Sequence, residues 1–157
     1  MKVVLSTILR GAQLPDSLVQ PLLDCSIAVF ARVREAIVAV PCKPHYVYCL
    51  RNCLDAVRGI ARIRCTDVED EQLVFRLFKH EHLRVYGDRL SDAADQILLE
   101  RILQTQLMAF NSNWASHLAE RVMFGDYVTH SREKDSRVYE SVGIDRAARR
   151  MEGSRVE

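Results

Sequence analysis

None of the six glycines in this sequence is followed by lysine. That removes the P-loop, a Gly-x-x-x-x-Gly-Lys run followed by Ser or Thr that wraps backbone amides and one ammonium around nucleotide phosphates. No hydrophobic strand ends in paired acids, so the Mg²⁺ site of a Walker-B strand is also missing, and no Gly-x-Ser-x-Gly elbow presents a nucleophile. The chain alone is not expected to hydrolyse ATP. It also lacks an excess of either charge. Twenty-two basic residues against 21 acidic ones leave a net charge of +1, which gives no electrostatic footing for nucleic acid or a membrane surface. No apolar run reaches the roughly 18 residues that a membrane span needs. The brief apolar start in residues 1–10 is too short for a signal peptide and has no small-residue cleavage site. Five cysteines, an odd number without framework spacing, point to reduced thiols and a cytoplasmic setting.

What is present is ordinary for one soluble domain: 157 residues, 48% hydrophobic and 27% charged. The sparse glycines and four prolines punctuate a helical pattern. Residues 3–10 form a short helix ending near Gly11. Asp16 or Ser17 caps a long helix over 18–40, with Leu18, Leu22, Cys25, Val29, Val33 and Ile37 at helical spacing and Pro21 in the first turn. Pro41 and Pro44 stop it, and residues 45–49 are extended. A helix follows over 50–62. Thr66 or Asp67 caps the next, over about 68–83, with Leu73, Val74, Leu77 and Phe78 inward. The last runs over 93–110 and is apolar on several sides, which predicts burial between neighbours. Residues 114–123 fit a further short helix, and Phe124-Gly125-Asp126-Tyr127 a turn or docking loop. The reading is an all-α bundle over 1–110, a linker or docking segment over 111–147, and a disordered tail over 148–157.

Arg51 stands at a helix start, where a guanidinium can pair bidentately with phosphate oxygens. By its chemistry alone it is first of all a surface arginine. Glu81 falls on the stripe of Leu77, Phe78 and Val85, so its carboxylate needs a partner; Arg84 and Arg89 are the candidates, and Arg84 and Asp88 are spaced for a pair of their own. This reads as a structural ion-pair network rather than a catalytic site. Cys42, His45, Cys49 and Cys53 would have to converge from a turn, an extended piece and a helix to hold zinc, and His80 and His82 lack the His-Glu-x-x-His spacing, so no metal is expected.

Two runs about thirty residues apart carry a resemblance. One is His45-Tyr46 with Leu50-Arg51 and Gly59; the other is His80-Glu81, Arg84 and Asp88-Arg89-Leu90. With Leu5-Ser6-Thr7-Ile8-Leu9 before them and Phe124-Gly125-Asp126-Tyr127 and Tyr139-Glu140 after, they resemble, in order and spacing, the helical lid of a AAA+ module of dynein heavy chains, most like the third module. The resemblance implies a AAA+ C-terminal lid fold and puts Arg51 at the sensor-II position facing nucleotide. ATP or ADP would then be met only within a complete module. It implies the rest of a heavy chain as partner, namely the large AAA+ subdomain and the neighbouring module, with microtubules reached indirectly and neither nucleic acid nor membrane involved. The implied location is cytoplasmic and cytoskeletal, at microtubules, with cilium or axoneme included. Many members carry Asn-Leu-Arg-Asp where this chain has Cys49-Leu50-Arg51-Asn52, a departure that touches whatever orients Arg51. The chain starts within lid sequence and stops before a following P-loop, as a piece of a heavy chain or a short stand-alone relative would. The competing readings are a stand-alone helical adaptor that grips a partner helix in a groove, and a small enzyme built on His45 and a cysteine.

Overall fold

Pro41 sets the first corner of the chain. Val40, Pro41, Cys42 and Lys43 make a tight turn in which the Lys43 N–H donates to the Val40 carbonyl at 2.8 Å, with Val40 and Lys43 bridged as if on two short strands. Proline suits the second position of such a turn. The turn needs Val40 extended, so the preceding helix unwinds earlier than the apolar stripe suggests. In a computed structural model, which describes residues 2–12, 14, 16–62, 71–110, 122–125 and 140–143, helices α1 (Lys2–Gly11) and α2 (Asp16–Ala36) precede this corner. Because α2 starts at Asp16, Pro21 lies in its second turn, where a missing N–H costs a helical hydrogen bond.

Three more helices complete the bundle: α3 (Leu50–Ile60), α4 (Glu71–His82) and α5 (Ala93–Phe110). The expected caps at Thr66 and Asp67 lie outside the described residues. The chain leaves α4 through a turn of π-helix at Leu83–Gly87 that helical spacing does not announce. Such i→i+5 turns are uncommon and recur at functional sites. Helix α2 packs on α1, α3 and α5; α3 packs on α4; and the π-turn touches α3 and α5. The core joins Leu5 and Leu9 of α1, Leu22 and Val29 of α2, Val57 and Ile60 of α3, Leu77 and Phe78 of α4, and Leu99, Leu103 and Leu107 of α5. The fold is the all-α bundle that the periodicity indicates.

Two expectations change. Helix α5 is not covered all round: Leu99, Leu103 and Leu107 are buried, yet Ile97 is 53% exposed and Met108 and Phe110 are also exposed. Its neighbours among the described residues occupy one side only. Phe124 and Gly125 belong not to a turn but to a strand, β1 (Val122–Gly125), which pairs antiparallel with β2 (Glu140–Gly143). Phe124 is buried, with its ring 5.5 Å from that of His80 on α4. Most of the expected 114–123 helix, Asp126-Tyr127 and the 148–157 tail lie outside the described residues. No helix among the described residues is long and apolar enough to cross a membrane.

His82 is the most exacting core residue. Its ring is fully buried, stacks on Phe78 at 3.9 Å between centroids, and donates from Nδ1 to the Phe78 carbonyl at 2.8 Å. Its Nε2 and the nearby Tyr86 hydroxyl find no hydrogen-bond partner among the described residues. Burial pushes the His82 pKa down to about 4, against the smaller opposing effect of the Phe78 carbonyl. The folded chain therefore refuses a proton that the unfolded chain accepts. The stability that His82 contributes is full above its ordinary pKa of 6.5 and is lost as the pH falls from there toward 4. Urea titrations should show an extra loss of about 2 kcal/mol between pH 7.5 and 5, and His82→Phe should abolish that increment. Parallel pH profiles for the two proteins would show that His82 stays hydrated in the fold.

Candidate functional site

Helix α3 can begin at residue 50 because Cys49 is extended (φ −119°, ψ 174°) and Asn52 turns back, its Oδ1 accepting the Cys49 N–H at 2.9 Å. This is the reciprocal arm of a capping box. Asn52, almost fully buried, thus makes the back-bond that an acid makes at this helix position, so the departure noted at Asn52 leaves the helix start capped. Arg51 follows directly in the first turn and is exposed. The helix N-terminus adds its partial positive charge to the guanidinium, and both favour an anion. The connector over 37–49 that leads into α3 exposes Val38, Val40 and Val47, and α3 itself exposes Leu50, next to Arg51 in sequence. Exposed aliphatic side chains of this kind suit a surface that other polypeptide covers.

The connector that presents this corner is pinned at three places to the approach to α5. Lys43 Nζ donates to Asp95 at 2.5 Å and to Asp92 at 3.0 Å. The two carboxylates, Asp95 first, hold the Lys43 pKa well above its ordinary value, and Lys43 holds that of Asp92 down. The Tyr46 hydroxyl accepts the Ser91 N–H at 3.0 Å and meets the Ser91 hydroxyl at 3.2 Å. Arg89 Nη1 donates to the Val47 carbonyl at 2.7 Å, and the guanidinium lies 5.2 Å over the Tyr48 ring. The Tyr48 hydroxyl in turn donates to the Tyr86 carbonyl at 3.1 Å, and burial pushes its pKa up to about 12. Arg89 is therefore a clamp on the connector, not the partner of Glu81 that spacing suggested. Sequence reasoning missed Lys43, Asp92 and Asp95; the weak signal was a lone lysine between two prolines and two acids at a helix start.

Glu81 is fully buried. Arg84 embraces its Oε2 from Nε at 2.9 Å and from Nη2 at 2.7 Å, and His80 Nε2 lies 4.0 Å from Oε1. No ion pair between Arg84 and Asp88 is found among the described residues. The carboxylate rests directly on Gly59 of α3: a methyl group added to Gly59 would overlap Oε2, Cδ and Cγ of Glu81. The Gly of the first run and the Glu of the second are thus one contact, made possible by the absent side chain.

Cys25 and Cys53 are buried, and burial pushes their pKa values to about 12 and 11; Cys42 and Cys49 are exposed; Cys65 lies outside the described residues. Among the described residues no three His, Cys, Asp or Glu side chains gather as a metal site.

Comparison with known proteins places these residues in a family context. Residues 1–96 match the family model "Dynein heavy chain, ATPase lid domain", a span that contains Arg51, Gly59, Glu81, Arg84, Asp88 and Arg89. The chain is 29% identical to dynein axonemal heavy chain 1 of Mus musculus over 120 residues, 76% of this chain and 3% of that protein. It is 31% identical to dynein axonemal heavy chain 12 of Homo sapiens over 130 residues, 73% of this chain and 4% of that protein. Over 157 residues, 96% of this chain and 4% of the relative, it is 23% identical to dynein axonemal heavy chain 10 of Homo sapiens. The chain thus spans only a few hundredths of the length of these curated relatives.

The Gly59–Glu81 contact reverses an ordinary rule. Gly→Ala within a helix normally stabilises by about 1 kcal/mol. Here Gly59→Ala should destabilise by about 3 kcal/mol through overlap with the carboxylate. In a Glu81→Ala background the same change should be tolerated, giving a favourable coupling of at least about 1 kcal/mol in a double-mutant cycle followed by urea unfolding. Strict additivity would show that the two residues do not touch.

Proposed function

The chain belongs to the dynein heavy chain ATPase lid family, and from that premise we propose that it serves as the lid of a AAA+ module, closing over a nucleotide that the large subdomain of the same heavy chain binds. Arg51 is the nucleotide-sensing residue in this reading. The observation that carries it is the exposed guanidinium in the first turn of α3, beside exposed Val47 and Leu50. A phosphate held by the large subdomain would meet the guanidinium and the helix terminus together, while the aliphatic rim would be covered by that subdomain. ATP presents more charge than ADP, so the attraction on Arg51 differs between the two states and biases the angle of the lid. ATP and ADP are thus ligands of the complete module, and the chemistry of hydrolysis belongs to residues outside this chain.

The partners in this reading are the large AAA+ subdomain and the adjacent module of a heavy chain, with the order of the motifs supporting the third module. Microtubule-based movement belongs to the whole heavy chain, and the axonemal relatives support a place on the cytoskeleton of a cilium.

Arg51→Ala tests this. The unfolding free energy of the chain should stay within about 0.5 kcal/mol, as for other exposed positions. In a complete module, the ratio of ATP to ADP affinity should fall by about tenfold, a scale set by the loss of one charge-assisted pair. Equilibrium titration with labelled nucleotides measures it. A module that distinguishes ATP from ADP equally well without Arg51 rejects the sensor role.

A further inference from the structure

Lys43 lies where the helix dipole alone would not put it. Its ammonium stands at the N-terminus of α5, the end of a helix that disfavours a cation. Two carboxylates outweigh that effect. Asp95, in the first turn of α5, accepts from Nζ at 2.5 Å, and Asp92, just before the helix, accepts at 3.0 Å. Asp92 divides its oxygens between two tasks. Its Oδ2 takes the ammonium, while its Oδ1 takes the Ala94 N–H at 3.0 Å and its carbonyl takes the Gln96 N–H at 3.1 Å. Asp92 thus caps α5, and that cap is complete without Lys43. The ammonium is not needed to start the helix. What it secures is its own stretch of chain: Lys43 also closes the Pro41 turn through its N–H and lies 5.4 Å over the Tyr46 ring. Farther along, Tyr46 is held by Ser91 and the Val47 carbonyl by Arg89. The partners of these three connector residues all lie within 89–95.

We propose that Lys43 is a positioning residue for Arg51: by tying the connector to Asp92 and Asp95, it sets the direction in which the first turn of α3 presents the guanidinium. The proposal rests on the sensor reading of Arg51 and adds the residues that make the sensor selective. The first turn of a helix is held by its cap more than by its own ladder. The cap of α3 is Cys49, the last residue of the connector, joined to Asn52. A loosened connector therefore loosens the turn that carries Arg51. A guanidinium free to move meets the phosphates of ATP and of ADP alike, whereas one held in place pairs fully only with a phosphate at the matching position. The Lys43 and Asp95 side chains are only 25% and 22% exposed, so water screens this pair less than an open surface bridge.

Lys43→Met keeps the aliphatic stem and removes the charge; Asp95→Asn removes the shorter contact from the α5 side. Hydrogen exchange of the 157-residue chain reads the local effect. In either variant the amides of Cys49 and Ser91 should exchange about fivefold faster, while those of Ala94 and Gln96 stay within about twofold of wild type. In a complete module, Lys43→Met should lower the ratio of ATP to ADP affinity about threefold, and Lys43→Arg should keep it. In an Arg51→Ala background Lys43→Met should cost nothing more, because it acts only through Arg51. The proposal is overturned if Ala94 and Gln96 lose protection together with Cys49, if Lys43→Arg behaves as Lys43→Met, or if the losses from Lys43→Met and Arg51→Ala multiply. A ratio that falls with Arg51→Ala but not with Lys43→Met rejects the positioning role and leaves the sensor reading standing. A ratio unmoved by Arg51→Ala rejects the sensor reading, and this proposal with it. Asp95→Asn decides by the same measurements if Lys43→Met fails to fold.

Discussion

A carboxylate with no access to water sits between α3 and α4, and the arrangement of these helices and the π-turn follows from accommodating it. Burying Glu81 would be costly without compensation, because an ionised group loses its hydration in a low-dielectric interior. Arg84 supplies two charge-assisted hydrogen bonds from one side. Gly59 supplies the space from the other by having no side chain. The interval between the two helices is thus set by one carboxylate, and neither helix can rotate without exposing it or colliding with it. The same Arg84 then stands on the wall of an open cleft between α3 and the π-turn, so the group that neutralises Glu81 also shapes the surface.

The proposed function rests on a different set of contacts. Arg51 owes its position to a short extended connector, and such segments are usually the mobile parts of a fold. Here the connector is held by ions and hydroxyls: Lys43 on Asp92 and Asp95, Tyr46 on Ser91, Arg89 on Val47. Partly buried, bidentate or networked pairs of this kind outlast isolated surface bridges. The hydrophobic core supports the helices, and this polar seam fixes the corner at which the lid would meet its nucleotide.

Much of the helical order is legible in the sequence because prolines and caps mark it: the start of α3 at Leu50 and the span of α5 follow directly. The family read from the His45 and His80 runs is the one whose model matches residues 1–96. The misses have physical causes. Periodicity shows which faces of α5 are apolar but not what stands beside them, so it predicts burial on several sides where the structure leaves Ile97 exposed. A π-turn has no compositional signature, so spacing leaves both Arg84 and Arg89 as candidates for Glu81, and the structure separates them. The Lys43 seam joins residues 49 and 52 positions apart, beyond what local spacing can reveal. Strand β1 is four residues long and its partner lies across a long connection, which leaves no alternation to read. The exposure of Arg51 agrees with its reading as a surface arginine at a helix start.

The polar seam also has a mechanical meaning. Lys43 and Arg89 tie the entrance of α3 to the stretch that opens α5, so a tilt of α5 is carried to Arg51 through rigid, directional bonds rather than through the softer packing of aliphatic side chains. A load applied to the far end of α5 would therefore register at the guanidinium as displacement, with α5 as the lever arm and the Pro41 corner as its bearing.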